Sequence, residues 1–123
     1  MNLGRNLYHV QHNKMTDMIG LSAKARKCVS GETGCMQAIR TGKAKLIIIS
    51  SEASENTTKQ FLDKSDYRNI PFIILESEMN LGHLIGKYNR MVVAIIDEQF
   101  ANIIIHEHKA ITINNGGGYN VHN

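Results

Sequence analysis

The sequence predicts a small α/β protein, a three-layer α/β/α sandwich with a small, mostly parallel sheet. Runs of consecutive apolar residues alternate with segments of helical periodicity. The 123 residues are enough for one hydrophobic core but not for two. Parallel strands need long connections, and helices between the predicted strands provide them.

The first predicted helix begins near Thr16 or Asp17, either of which can cap its start. Gly31 ends this part of the chain, with a brief extended piece at Cys28–Ser30. Apolar side chains recur at helical spacing and are expected to face the core: Met18, Leu21, Ala25, Cys28 and Val29.

A second helix is predicted from Thr33 or Gly34 to Thr41, and Gly42 follows where helices commonly end in a left-handed residue. The continuous apolar run Leu46–Ile49 is typical of a strand that is buried on both faces. The later predicted elements keep the alternation: a helix at Glu55–Lys64, a strand at Phe72–Leu75, a short helix at Glu78–Ile85, a strand at Met91–Ile96 and a helix at Glu98–His106.

The two ends of the chain are expected to lie outside the folded domain, which we place at residues 15–106. Residues 1–14 are polar, Asn-rich and aperiodic, which indicates a flexible extension. Residues 107–123 are expected to form a flexible tail, to which Ala110–Ile113 could add a short strand. No signal-peptide pattern and no apolar run of ~20 residues is present, so we expect a soluble, cytoplasmic protein.

Neither the glycines nor the cysteines and histidines form an enzymatic pattern. The loop after Leu46–Ile49 reads SSEASEN, without the glycines that a phosphate-binding loop requires. Cys28 and Cys35 fit neither a disulfide framework nor a Cys-x-x-Cys site, and we expect buried thiols. His106-x-His108 lacks a third metal ligand. We therefore expect a protein that is not an enzyme and has no cofactor, metal or catalytic residues.

The turn before the second helix is the strongest candidate site. The amides of Gly31–Gly34 lie at the positive end of a helix dipole, and glycine there lets a phosphate approach closely. Thr33 offers a hydroxyl group, and Gln37 offers an amide one turn later. From composition alone, an ordinary turn explains these residues equally well. The formal charge of +3 permits a nucleic-acid partner, and cations near in sequence could neutralise phosphates: Lys24, Lys27 and Lys43.

Several short motifs occur in an order that is specific as a set. They are Ala38-Ile39-x-x-Gly42-x-Ala44-Lys45-Leu46-Ile47-Ile48-Ile49, Ile70-Pro71-Phe72 and Leu81-Gly82-x-x-x-Gly86-Lys87. This order resembles the ribosomal protein family of kink-turn RNA binders (L-seven-Ae and L-thirty-e), over about Met18–Ile105. Two further motifs are most similar to the small bacterial YlxQ-like branch: Leu21-x-x-x-Ala25-Arg26-Lys27-x-Val29-Ser30-Gly31-Glu32 and Phe100-Ala101-Asn102.

The resemblance implies an α/β/α fold and non-catalytic binding of ribosomal or other structured RNA, with no membrane or small-molecule partner. In the family, RNA lies against the start of the second helix and the loop before the last buried strand. The implied contacts are Gly31, Glu32, Thr33, Gly34, Gln37, Lys87, Tyr88, Asn89 and Arg90, to which the charge pattern adds Lys27 and Lys43.

Three positions depart from the pattern of kink-turn readers. Archaeal-type members carry Asn and Glu at the positions of Thr33 and Gly34, and Lys at the position of Gln37. Those side chains read the sheared G·A pairs of a kink-turn, so the resemblance implies backbone contact here without that base readout. A protein-interaction module on the same fold, which has lost specific RNA readout, is the alternative.

Overall fold

The structure, a computed structural model, describes residues 13–114 and 121–122. Among these residues, no helix combines the length and the apolar character needed to cross a membrane. The helices are α1 (Lys14–Lys24), α2 (Glu32–Arg40), α3 (Glu55–Tyr67), α4 (Leu81–Leu84) and α5 (Glu98–Asn114). The strands are β1 (Cys28–Ser30), β2 (Leu46–Ser50), β3 (Phe72–Leu75), β4 (Val92–Ile95) and β5 (Val121–His122), and Ser77–Met79 forms a 3₁₀ turn.

The described strands form one mixed sheet in the order β1-β4-β2-β3-β5. Only β2 and β3 pair in parallel, whereas β1–β4, β2–β4 and β3–β5 are antiparallel. The α/β class and the sandwich of helices on both faces are confirmed. The prediction of a mostly parallel sheet is wrong.

The lengths of the connecting helices explain these directions. The 13 residues of α3 rise about 20 Å, enough to return the chain along the sheet and start β3 parallel to β2. The connection between β3 and β4 holds only a 3₁₀ turn and the 4 residues of α4, which rise about 6 Å. This connection stays at one edge of the sheet, so β4 runs back antiparallel to β2.

The core lies on both faces of the sheet. Along β2, Leu46 and Ile48 pack with residues of α1 and α5, whereas Ile47 and Ile49 pack with residues of α2 and α3. All five residues of β2 are buried. The prediction of a strand buried on both faces is therefore confirmed, as is the left-handed Gly42 after α2, with φ +78°.

The buried face of α1 differs from the prediction. The helix begins at Lys14, because Asn13 caps it and forms a reciprocal capping box with Thr16. Met15 and Ile19 lie in the core, whereas Leu21 is 48% exposed. The predicted start at Thr16 or Asp17 is too late because the capping residue, Asn13, lies before the periodic apolar run. The extended piece at Cys28–Ser30 is confirmed as β1.

Two later helices also differ. The predicted helix at Glu78–Ile85 is a 3₁₀ turn followed by α4, because left-handed Asn80 ends the turn and its side chain caps α4. The predicted end at His106 is wrong, since α5 continues to Asn114 through the suggested strand at Ala110–Ile113. Predictions for residues 1–12, 115–120 and 123 lie outside the described residues, and the domain limits stay predictions.

Candidate functional site

Two predicted RNA-binding segments meet at one edge of the sheet. Strand β1 runs toward this edge and β4 starts from it, since the two strands are antiparallel. Gly31 therefore follows β1 beside the start of β4, and its amide donates to the carbonyl of Val92 at 3.0 Å. We call residues 31–34 and 87–90 together the site edge.

The start of α2 has no side-chain cap. Its N-cap residue is Gly31, which offers no acceptor, whereas α1 and α3 are capped by the side chains of Asn13 and Ser54. The first amides of α2 are consequently without a side-chain acceptor among the described residues. A helix start with free amides and a positive dipole end is suited to an anion such as a phosphate.

Glycine is needed at positions 31 and 34 for different structural reasons. Gly31 has φ +91° and ψ 156°, a backbone conformation that is essentially restricted to glycine, and space around it is open. A Cβ atom at Gly34 would instead lie 2.7 Å from Cγ1 of Val29. Gly31 thus leaves room for a ligand, whereas Gly34 allows α2 to pack closely on β1.

The loop at 87–90 is held against β1 and α4. Arg90 Nε donates to Ser30 Oγ at 3.1 Å, which joins the loop to the end of β1. A Cβ atom at buried Gly82 would lie 3.1 Å from the backbone of both Lys87 and Arg90, so α4 supports the loop without a side chain between them. Tyr88 is 89% exposed and presents its ring to solvent.

A cleft of ≈ 350 Å³ lies beside this loop. Sequence reasoning missed part of its lining, because these residues belong to no recognised motif. Their position in the chain could have indicated them, because they follow β2 and β3, which end at the same edge of the sheet. The missed residues are Ser50, Glu52, Ser77, Asn80 and His83.

The site edge carries few cations for an RNA-binding surface. Lys87 and Arg90 are its two cations, and Arg90 is already bound to Ser30. Glu32 hydrogen-bonds with Thr57, whose hydroxyl donates to the carboxylate at 3.3 Å. The other carboxylates on the turns and helix starts at this edge are Glu52, Glu55, Glu76 and Glu78.

Lys27 and Lys43 do not lie with the other predicted site residues. Lys27 precedes β1 and Lys43 precedes β2, and both strands begin at the edge opposite to Gly31. Their nearness in sequence was misleading because a strand or helix separates them from the turn. Gln37 lies one turn into α2 and is exposed, on the same helix as Thr33.

The thiols are in unreactive surroundings. Burial raises the pKa of the Cys35 thiol to about 12, and its Sγ donates to the carbonyl of Val29 at 3.4 Å. Burial also raises the pKa of Cys28, which is half-buried on β1. A nucleophilic cysteine needs a lowered pKa, so these residues have the opposite tuning.

The His106-x-His108 pair does not converge on one point. His106 is exposed on α5 whereas His108 is buried, as two residues at i and i+2 on a helix point in different directions. Burial lowers the pKa of His108. Within residues 13–114 and 121–122, no group of three or more His, Cys, Asp or Glu side chains could hold a metal ion.

Known proteins with similar sequences are described as RNA-binding. The chain is 44% identical to the RNA-binding protein YlxQ of Bacillus subtilis (strain 168) over 88 residues, which cover 72% of this chain and 88% of that protein. It is 41% identical to the RNA-binding protein YlxQ of Enterococcus faecium, with 72% and 84% covered.

Solved structures with the same fold include a protein with unknown function from Bacillus halodurans C. Its TM-score is 0.73 at 33% identity, with 77% of this chain and 96% of that chain covered. The Giardia lamblia 15.5kD RNA binding protein has a TM-score of 0.68 at 16% identity, with 80% and 91% covered, which supports the fold alone.

A family model matches residues 13–105, which include every described element from α1 to β4 and the first part of α5. The motif order found in the sequence, the mixed sheet and the relatives agree with this match. The chain belongs to the Ribosomal protein L7Ae/L30e/S12e/Gadd45 family.

Proposed function

We propose that this protein is a non-catalytic RNA-binding protein of the ribosome or the translation machinery, and that its site edge contacts structured RNA. One observation carries the proposal: the uncapped start of α2 lies beside a supported loop that presents an exposed Tyr88. Amides suited to phosphate and an aromatic ring suited to a base thus face solvent together. A translation-associated role implies the cytoplasmic location expected from the sequence.

The relatives support the same class of ligand. Two proteins that are 41% and 44% identical over 88 residues are described as RNA-binding, and their match spans most of both chains. The described residues offer no metal cluster, and the thiols have raised pKa values. Neither thiol therefore has the lowered pKa of a cysteine nucleophile.

The residues at the site edge favour recognition of backbone and shape over base edges. Thr33 and Gly34 replace the Asn and Glu of kink-turn readers, and glycine has no side chain with which to read a base. The first amides of α2 serve any phosphate, whatever the sequence of the RNA. We therefore propose binding to structured RNA, kink-turn-like shapes included, without the tight specificity of archaeal-type members.

Tyr88 gives the sharpest test. Stacking of one base is worth ~1–3 kcal/mol, so Tyr88→Ala should weaken binding about 5- to 150-fold. Tyr88→Phe keeps the ring and should bind as the wild type does. Fluorescence anisotropy with labelled kink-turn hairpins and ribosomal RNA fragments, across a salt series, measures both affinities. Adding Lys87→Ala should reduce the log–log salt slope by ~0.7–0.9, because one phosphate is then no longer neutralised.

Equal affinities of Tyr88→Ala and wild type would contradict the placement of RNA at the site edge. If wild type binds no RNA of the panel at low salt, RNA binding itself is contradicted. A protein partner recovered under those conditions would favour the protein-interaction module, the alternative that the departures at Thr33 and Gly34 raise.

A further inference from the structure

The opposite edge of the sheet carries the cations that the site edge lacks. Arg26 and Lys27 precede β1, and Lys43 and Lys45 precede β2, so all four lie where these two strands begin. We call these four residues the basic edge. All four are exposed, and none forms an ion pair within the part of the chain that the structure describes.

Backbone hydrogen bonds bring Lys27 and Lys45 to either side of the end of β4. The amide of Ile96 donates to the carbonyl of Lys27 at 2.9 Å, and the amide of Lys45 donates to the carbonyl of Ile95 at 2.7 Å. Two strands separated by a third lie about 10 Å apart, slightly more than the screening length of about 8 Å at physiological salt. The two exposed lysines therefore reinforce each other's positive potential mainly at low salt, and at physiological salt each acts on the phosphates nearest to it.

Helix ends explain other cations at this edge but not these four. Lys24 and Arg40 lie in the last turns of α1 and α2, where a cation offsets the negative end of the helix dipole. The basic edge lies in loops beyond those helices. Acids nearby are Asp97, whose carboxylate accepts from the amide of Phe100 at 2.9 Å, and exposed Glu98.

Arg26 adds an independent observation. Its φ is +61°, a left-handed conformation that costs an arginine roughly 1–2 kcal/mol and costs glycine almost nothing. Among the described residues, the other non-glycine positions with positive φ are all asparagine: Asn69, Asn80 and Asn89. The conformation closes the end of α1, where the amide of Lys27 donates to the carbonyl of Ser22 at 2.7 Å, and it leaves the Arg26 side chain exposed beside Lys27.

We propose that the basic edge is a second RNA-contacting surface, which binds phosphates of an RNA segment distinct from the one at the site edge. The inference rests on the proposed function, because RNA is taken as the ligand of both edges. The site edge supplies amides and an aromatic ring, and the basic edge supplies the charge. Two weak contacts on one RNA reinforce each other by ~10²–10⁴-fold when the RNA reaches both.

The test compares three variants of the full chain by anisotropy with a long-stemmed kink-turn hairpin and a short-stemmed one. The basic-edge variant is Lys27→Ala/Lys43→Ala/Lys45→Ala, and the site-edge variant is Lys87→Ala/Tyr88→Ala. The control Lys14→Ala/Lys59→Ala/Lys109→Ala removes the same charge from exposed positions of α1, α3 and α5. The basic-edge variant should reduce the log–log salt slope on the long hairpin by roughly 2, and the control should reduce it far less.

The outcomes separate the two proposals. Wild type that binds neither hairpin overturns both. If the site-edge variant is weakened while the basic-edge variant matches the control, the second surface is wrong and the proposed function stands. If only the basic-edge variant is weakened, RNA binds at the basic edge alone, and both the placement of RNA at the site edge and the two-surface arrangement are wrong. Polyglutamate that competes as well as RNA at equal charge would also overturn RNA as the ligand of the basic edge.

Arg26→Gly distinguishes binding from a structural role. The substitution relieves the left-handed arginine, so the melting temperature should stay equal or rise. Affinity for the long hairpin should fall, with a salt slope lower by ~0.7–0.9. A lower melting temperature with unchanged affinity would show that Arg26 serves the fold and would remove it from the basic edge.

Discussion

Gly34→Ala should destabilise this protein, although glycine-to-alanine changes inside helices usually stabilise. Gly34 lies in the first turn of α2, where a Cβ atom would lie 2.7 Å from Cγ1 of Val29 on β1. Ordinary carbon–carbon contacts are ≈ 3.5–4.0 Å, so either α2 or Val29 has to move. Valine has little freedom to do so because its χ1 angle is restricted.

The size of the effect follows from two opposed contributions. Alanine is favoured over glycine in a helix interior by roughly 0.5–1 kcal/mol. Forcing an extra carbon into a packed contact costs about 1–3 kcal/mol. The net effect is a loss of roughly 0–2.5 kcal/mol in the free energy of unfolding. Since ~1 kcal/mol shifts the melting temperature of a domain of this size by about 4–8 °C, the loss is measurable.

Val29→Ala provides the matched background. It removes the Cγ1 atom that opposes the new Cβ, so Gly34→Ala in this background should stabilise by roughly 0.5–1 kcal/mol. Urea unfolding of the four proteins of the double-mutant cycle gives the free energies, and equal m-values confirm that the unfolded states are comparable. The substitution should therefore reverse sign between the two backgrounds.

The contact explanation fails if Gly34→Ala stabilises the wild type as much as it stabilises the Val29→Ala protein. The coupling free energy would then be zero, and Gly34 would be an ordinary helix glycine. Thr33→Ala serves as a neighbouring control, because it changes an exposed side chain in the same turn without adding a carbon toward β1.

Two further predictions concern buried titratable groups. Because the pKa of Cys35 is raised to about 12, about one side chain in ten thousand is a thiolate at pH 8. Iodoacetamide should therefore modify Cys35 only in urea, which mass spectrometry measures. Equal rates of modification in native and unfolded protein would contradict the burial of Cys35. Burial lowers the pKa of His108, so below pH ~6.5 the unfolded chain binds more protons than the folded protein does. The free energy of unfolding therefore decreases as the pH is lowered through this range. His108→Gln should lose less melting temperature between pH 7 and 5 than wild type, and parallel pH profiles would contradict the assignment.

The sequence predicted best those features that depend on the residues of one short segment. The four consecutive apolar residues Leu46–Ile49 indicated a strand that is covered on both faces of the sheet. The structure has such a strand at this position. Gly42 was expected in a left-handed conformation after the second helix, and its φ is +78°. These signals are local, so no knowledge of distant contacts was needed.

Properties set by distant parts of the chain could not be predicted in this way. The alternation of helices and strands does not fix strand direction, which depends on whether each helix is long enough to cross the sheet. Lys27 and Lys43 lie close in sequence to Gly31–Gly34, yet β1 and α2 carry them to the opposite edge. The contact of Arg90 with Ser30, 60 residues apart, has no signal in a single sequence.

Packing at Gly34 also bears on the proposed function. A glutamate at position 34, as kink-turn readers carry, needs the Cβ atom for which Val29 leaves no room. Under the proposed function, the absence of a side chain at position 34 follows from how closely α2 packs on β1. A variant that carries Gly34→Glu would need Val29→Ala as well, so the glycine at this position belongs to the packing of the fold as well as to the proposed site.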